Sequence, residues 1–298
     1  MPAELDKFVQ SGRILARTRE FVRGLPVRGR RVLDICVDVE RQIRQLGGRP
    51  AFPCNVGIND VAAHYTSPWK DPSIIPENSI VKIDFGVELD GCVTDTAITI
   101  SLNPAYDSLA VAAETALQEA LAAIMPGRKL SDIGTIVERC VQRYGFKPIR
   151  NLTGHKIDRY AIHAGKSVPN VSGMETGRFE LGEIYAVEPF VTVRDAEGAV
   201  RDMNMAYIYR FVRAKGAKSR SANRLAEHIH DTYRTLPFAS RWIFESANDR
   251  DLKEAFDELV TKRCIVGYPV LVEASGNVVS QAEHTIVVTE NGSRVLTA

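Results

Sequence analysis

Ile80-Val-Lys-Ile-Asp84-Phe-Gly86-Val-Glu-Leu-Asp90-Gly91-Cys-Val-Thr-Asp95 is the stretch around which the chain is organised. Apolar and β-branched residues lead up to Asp90-Gly91 and away from it. That dipeptide is a strong two-residue hairpin turn, because type I′ needs positive φ at both positions. Paired residues then sum to 181: Leu89 faces Cys92 and Gly86 faces Asp95. Asp84 falls on the same face as Gly86, diagonal to Asp95. Diagonal neighbours lie about 7–8 Å apart at the backbone, close enough for both carboxylates to reach shared ions. Gly86 opposite Asp95 is expected to leave that space open. Two converging carboxylates repel unless something positive lies between them. Two exposed aspartates on a polar face would be the plainer reading, but the apolar flanks favour a half-buried strand and a metal.

Outward from the hairpin, residues 52–58 and 80–100 read as strands. Residues 3–24 read as an amphipathic helix, with Leu5, Phe8, Val9, Leu15 and Val22 along one face. A second helix over 30–46 is stopped by Gly47-Gly48. After the hairpin come a helix lined by Leu109, Ala113, Leu117 and Leu121, and another that Ser131 is expected to cap and Gly145 to end. A strong strand is expected over Ile184–Val193, and closing strands over Val266–Leu271 and Thr285–Thr289. The helical block 206–264 lies between strands and reads as an insertion. Periodicity alone therefore predicts an α+β chain.

The 298 residues suffice for one large domain or two small ones, and 45% of them are hydrophobic. A net charge of +1 speaks against a dedicated DNA-binding or membrane protein. No apolar run is long enough to span a bilayer. The start, Met1-Pro-Ala-Glu-Leu5, lacks the layout of a signal peptide. Five scattered cysteines, with no CxxC, suit the reduced thiols of a cytosol better than a disulfide framework.

Further candidate ligands come from later in the chain. Glu188 sits inside the apolar strand Ile184-Tyr-Ala-Val-Glu188-Pro-Phe-Val, and Glu283 precedes another in Gln281-Ala-Glu283-His284-Thr-Ile. A carboxylate among apolar neighbours needs a partner. His64, His155 and His163 stand among small residues, a setting where a lone histidine is more often structural than ligating. Four carboxylates and one histidine form a hard, oxygen-rich set. It suits manganese, iron(II) or cobalt(II) better than zinc, and two such ions can share a bridging hydroxide that attacks a carbonyl.

These segments, in this order and spacing, resemble the methionine aminopeptidases, and specifically their type II branch. The similarity runs through Ala51–Pro68, Lys82-Ile-Asp84-Phe-Gly with Asp95, Gly154-His155 to Ile162-His163, Ala186-Val-Glu188-Pro-Phe, and Gln281–Ile286. The insertion, with Tyr233–Trp242, is similar to the one that separates type II from type I. The chain looks closest to the short archaeal form. The resemblance implies the pita-bread fold, in which a curved antiparallel sheet carries helices outside and a dimetal site in its concave face. One catalytic domain would span 1–298, with the 206–264 subdomain inserted in it.

The resemblance further implies five ligands to two divalent ions: Asp84, Asp95, His155, Glu188 and Glu283. It makes Glu188 a proton shuttle and His163 a hydrogen-bond donor to the substrate carbonyl. His64 would bind the scissile amide, and is the histidine that fumagillin-type epoxides would alkylate. Phe52, Asn55, Ile162 and Tyr268 would build the methionine pocket with His64 and His163. The implied enzyme is a cytoplasmic monomer acting on the N-termini of nascent polypeptides whose second residue is small. Two rival readings follow from the same segments. A prolidase or aminopeptidase P-like peptidase shares the ligands but usually carries an N-terminal domain, for which Asp84 comes too early. A non-enzymatic relative binding RNA, ribosome or protein partners would have lost ligands, and none is lost here. Arg210, Arg213, Lys215, Lys218, Arg220 and Arg224 occur with no acidic residue between them. They read as a solvated basic loop or as a ribosome contact.

Overall fold

The computed structural model describes residues 2–174, 177–244 and 250–298. Helices α1 (Pro2–Arg23) and α2 (Val32–Gln45) are followed by strands β1 (Arg49–Pro50), β2 (Asn55–Ile58), β3 (Val61–Ala63), β4 (Ile80–Leu89) and β5 (Cys92–Ser101). Helices α3 (Asp107–Ala123) and α4 (Leu130–Arg143) come next, then strands β6 (Phe146–Pro148), β7 (Thr153–Ile157), β8 (Ser167–Pro169), β9 (Ile184–Val187), β10 (Phe190–Val193) and β11 (Val200–Phe211). The last third holds α5 (Arg220–Tyr233), β12 (Phe238–Ala239), α6 (Ser240–Phe244), α7 (Arg250–Thr261), β13 (Ile265–Glu273), β14 (Val279–Gln281), β15 (His284–Thr289) and β16 (Gly292–Val295).

The ladders between these strands are antiparallel. β4 lies between β2 and β5, β9 between β7 and β15, and β13 between β11 and β3. The hairpin forms with the register its turn dictates: Gly86 faces Asp95 and Leu89 faces Cys92. Asp90 and Gly91 take φ of 49° and 88°, as type I′ requires. Helices α1 and α2 cover one side of β4 through Leu15, Val22, Ile35 and Ile43 against Val81, Ile83, Phe85 and Val87. Helices α3 and α4 cover β9 and β15 through Leu117, Leu121, Val137 and Val141 against Tyr185, Val187, Ile286 and Val288. The helices around α5 and α7 have their own core of Leu225, Ile229, Phe238, Phe256 and Leu259. The antiparallel sheets and outer helices are those of the α+β pita-bread fold.

Several expected elements shift. The strand expected from residue 52 begins at Asn55, leaving Phe52 and Pro53 in a loop. Ser131 does not cap α4: Lys129 holds the cap position, and the Leu130 amide donates instead to Gly177 O at 3.0 Å. A tertiary carbonyl has replaced the side-chain cap. The strand over Ile184–Val193 is two strands in different sheets, parted at Glu188-Pro189. Pro189 has no N–H to continue the ladder, and the break frees Glu188 from strand pairing. Residues 206–211 are strand rather than helix, because Arg210 and Phe211 pair with Val266 and Ile265. The described helices of the insertion lie between Arg220 and Thr261, and residues 245–249 fall outside the described residues. The space beside Gly86 is filled, not open: a Cβ there would lie 2.4 Å from the Phe52 ring.

Candidate active site

The hairpin supplies the floor. Asp84 and Asp95 project from one face of β4 and β5, near enough to share a hydrogen bond. His155 arrives on β7, paired with Ala186 of β9. Glu188 follows the end of β9, and the register His284↔Val187 brings Glu283 alongside it. Four segments far apart in the chain, the hairpin and those of His155, Glu188 and Glu283, thus deliver four carboxyls and one imidazole to one place. His155 Nε2 lies 3.3 Å from Glu188 Oε1 and 3.8 Å from Asp95 Oδ2. Ligand atoms of Asp95, His155 and Glu283 lie within 4.8 Å of one another. Gln281 reaches over Glu283, its Nε2 lying 3.3 Å from Glu283 Oε2 and 3.5 Å from Asp84 Oδ2.

The electrostatics are those of a cation site. Burial pushes Asp84 up to about 7. Burial and the neighbouring carboxylates raise Asp95, Glu188 and Glu283 well above the ordinary range. Burial, and then His163, hold His155 down at about 3. Asp84 Oδ1, Asp95 Oδ1 and Glu283 Oε1 are buried with no hydrogen-bond partner. An acceptor-only oxygen left unpaired in the interior is costly. Three of them converging beside an unprotonated imidazole fit divalent metal ions, which would pair every one.

Above the floor lies a cavity of about 400 Å³. Phe52, Asn55, His64, Asp84, Asp95, His155, Ile162, His163, Glu188 and Tyr268 all line it. Glu283 is the exception among the expected site residues, since it lies buried in the floor without lining the cavity. Ile208 and Pro237 complete the apolar wall. Nothing in the local pattern marks those two. A larger recess, about 580 Å³ beside Lys147 and Arg150, is lined by one carboxylate, Glu138, and no histidine.

The two other histidines are held differently. His64 has φ of 63°, a left-handed conformation that a bulky residue keeps only where its surroundings enforce it. Its Nδ1 lies 3.2 Å from Pro269 O and its ring meets Tyr268 edge-on at 5.4 Å. The carbonyl can only accept, so Nδ1 carries the proton and the Nε2 lone pair is left for the cavity. Burial lowers His64 to about 4, so it is neutral at ordinary pH. The His163 ring stands 4.4 Å from that of His155. Burial, and then the positive charge of Arg210, lower its pKa.

A buried carboxylate–imidazole floor beneath an apolar cavity, set in this fold, defines a metal-dependent peptidase. Residues 7–216 match metallopeptidase family M24, and the chain belongs to that family. Within it, the chain is 39% identical over 292 residues to the methionine aminopeptidase of Methanocaldococcus jannaschii, covering 98% of each chain. Among solved structures it resembles a thermophilic Arx1, with a TM-score of 0.84 at 19% identity, covering 99% of this chain and 91% of that one. It also resembles the methionine aminopeptidase of Thermotoga maritima, with a TM-score of 0.72 at 22% identity, covering 100% and 97%.

Proposed function

We propose that the chain is a metal-dependent aminopeptidase that removes the N-terminal methionine from polypeptides whose second residue is small. The observation that carries this is the set of unpaired buried carboxylate oxygens directly beneath an apolar cavity. The near full-length similarity to archaeal methionine aminopeptidases supports it over the prolidase and non-enzymatic readings.

Asp84, Asp95, His155, Glu188 and Glu283 would hold two divalent ions, with manganese, iron(II) or cobalt(II) suiting the set better than zinc. Bound there, the ions supply Lewis acidity toward the scissile carbonyl and a nucleophile at neutral pH. Phe52, Ile162 and Tyr268 offer the methionine side chain an apolar wall, with Asn55 beside it. Neutral His64 accepts the scissile N–H on Nε2 and orients the amide. His163 donates to the carbonyl oxygen. Glu188, as a ligating carboxylate, would take a proton from the nucleophile and pass it toward the leaving amine. The catalytic unit spans 1–298, with the turn between α5 and β12 contributing Pro237 to the wall.

The deciding experiment is methionine release from Met-Ala-Ser by metal-stripped protein, with and without Mn²⁺ or Co²⁺, beside Met-Leu-Ser. Metal-dependent release from the alanine peptide alone is expected. No release with either metal from protein that remains folded would refute the reading.

No helix among the described residues is long and apolar enough to cross a membrane. The five cysteines are free and buried, in keeping with a cytoplasmic setting. Arg213, Lys215, Lys218, Arg220 and Arg224 are exposed, and this part of the basic run is suited to a ribosomal RNA contact near emerging N-termini. Charge reversal at Lys215, Lys218 and Arg220 should weaken co-sedimentation with ribosomes; unchanged co-sedimentation would remove the contact.

A further inference from the structure

We infer that Arg19 is a positioning residue for the metal centre, holding the backbone of Glu283 and of the Asp95 strand from behind the site. The inference rests on reading the carboxylate floor as a metal site.

Arg19 lies on the buried face of α1 and is 2% exposed. Its Nη1 donates to Thr96 Oγ1 at 2.5 Å, Ala97 O at 2.7 Å and Glu283 O at 3.3 Å. Thr96 Oγ1 itself donates to Glu283 O at 2.7 Å, and Glu283 N donates to Ala97 O at 3.2 Å. Thr96 follows Asp95, and Ala97 pairs with Asp84 across the hairpin. One guanidinium therefore meets the Glu283 backbone, the side chain of the residue after Asp95 and the backbone of the residue paired with Asp84.

Glu283 depends on this contact most. It lies between β14 and β15, outside both ladders. Its main chain is held to the hairpin by the Ala97, Thr96 and Arg19 contacts. Releasing one of them lets the carboxylate drift, and a ligand a few tenths of an ångström out of place weakens every shared ion.

A helix-to-sheet brace would be the simpler role, but a brace does not need a charge. Arg19 Nε and Nη2 are buried without hydrogen-bond partners, and Nη2 has only the Glu114 carboxylate, at 3.9 Å. Burying unsatisfied guanidinium donors is costly. Ser11 already links the same helix to the hairpin through Val87 O and Thr94. Ala97 O and Glu283 O are both met by one nitrogen, Nη1, which the long arginine side chain carries across to them.

The test compares Arg19→Gln, Arg19→Lys and Leu15→Ala in the full chain. Leu15 packs from the same helix into the core against β4 and has no polar atom with which to hold the Glu283 main chain. Calorimetric titration of metal-stripped protein with Co²⁺ reads affinity, and the visible absorption of bound Co²⁺ reads ligand geometry. Arg19→Gln is expected to weaken Co²⁺ binding about ten-fold or more and to change the spectrum. Arg19→Lys, a point charge that reaches one carbonyl, is expected to fall between Arg19→Gln and wild type. Leu15→Ala is expected to lower the melting temperature while moving neither affinity nor spectrum. Wild-type affinity and spectrum in Arg19→Gln would overturn the inference, as would Leu15→Ala losing as much affinity. Should Arg19→Gln not fold, Arg19→Lys decides: unchanged affinity overturns it. A wild-type protein that binds no Co²⁺ overturns the metal reading itself, which is a separate failure from normal binding in both Arg19 variants.

Discussion

The Nε2 of His155 lies 3.3 Å from Glu188 Oε1, with both side chains largely buried. Burial holds the imidazole down at about 3 and raises the Glu188 carboxyl well above its usual range. Burial thus favours the neutral form of both groups. Metal binding must then expel protons from the carboxyls, and affinity must fall as pH falls. Calorimetric titrations with Mn²⁺ in buffers of different ionisation enthalpy should give release of about one proton or more per site near neutral pH. Enthalpies independent of buffer would contradict this charge state.

His64 offers a second test. Its proton is committed to Pro269 O and its pKa is about 4, so the Nε2 lone pair persists across the neutral range. His64→Ala should lower kcat about 10²-fold or more while metal content is unchanged. A fumagillin-type epoxide should add covalently to His64, detected as one adduct by mass spectrometry and absent from the variant. Full activity in His64→Ala would remove the histidine from the reaction.

Gly86 holds the Phe52 ring in place. A Cβ at Gly86 would lie 2.4 Å from Phe52 and 2.8 Å from Thr94 O, and the backbone oxygen cannot move aside. Gly86→Ala should cost about 1–3 kcal/mol of stability through overpacking. It should also raise KM for Met-Ala-Ser, because Phe52 lines the cavity. Urea unfolding and steady-state kinetics measure the two effects, and a variant matching wild type in both would show that Phe52 can sit elsewhere.

Glu183 predicts an acid-labile element. Burial alone would raise its carboxyl. Hydrogen bonds from Lys166, Tyr185 and Lys156 outweigh burial and bring it to about 2. A folded pKa below the unfolded one gives stability that is fully present above the ordinary carboxylate pKa and lost as pH falls toward 2. At about 1.4 kcal/mol per unit, the contribution near pH 7 is on the order of 3 kcal/mol. Urea unfolding at pH 7, 5 and 3 should show Glu183→Gln less stable than wild type by about 2–3 kcal/mol at pH 7, with the gap narrowing toward pH 3. A gap that stays constant with pH would mean that the carboxylate charge does not stabilise the fold.

Much of the floor was legible before any tertiary contact. Asp84 and Asp95 could be placed on one face because a type I′ turn at Asp90-Gly91 leaves a single register and the side-chain period of a strand is two. Glu188 and Glu283 stood out as carboxylates in apolar runs. Arg19 was legible in principle: it continues the face of Phe8, Leu15 and Val22, and an arginine on an apolar stripe signals a buried partner. Helical spacing marks such a residue but does not say what it reaches. Ile208 and Pro237 carried no local mark, since an apolar residue in a strand or turn reads as ordinary core.

What the sequence by itself determined was therefore short-range: the hairpin and its register, the helix faces, and the identity of the metal-ligand candidates. The hairpin, the helix faces and the four carboxylates follow from turn chemistry and periodicity, which act over a few residues; His155 was marked out from the other histidines only by the family resemblance. Only the tertiary structure decided that the strand around Glu188 breaks at Pro189, that Phe52 closes over Gly86, and that Glu283 hangs from Thr96, Ala97 and Arg19. Each depends on packing between segments up to some 260 residues apart, as between Arg19 and Glu283. No local preference encodes which distant backbone will stand opposite a given side chain, because that is settled by the joint burial of the helices and sheets that bring them together.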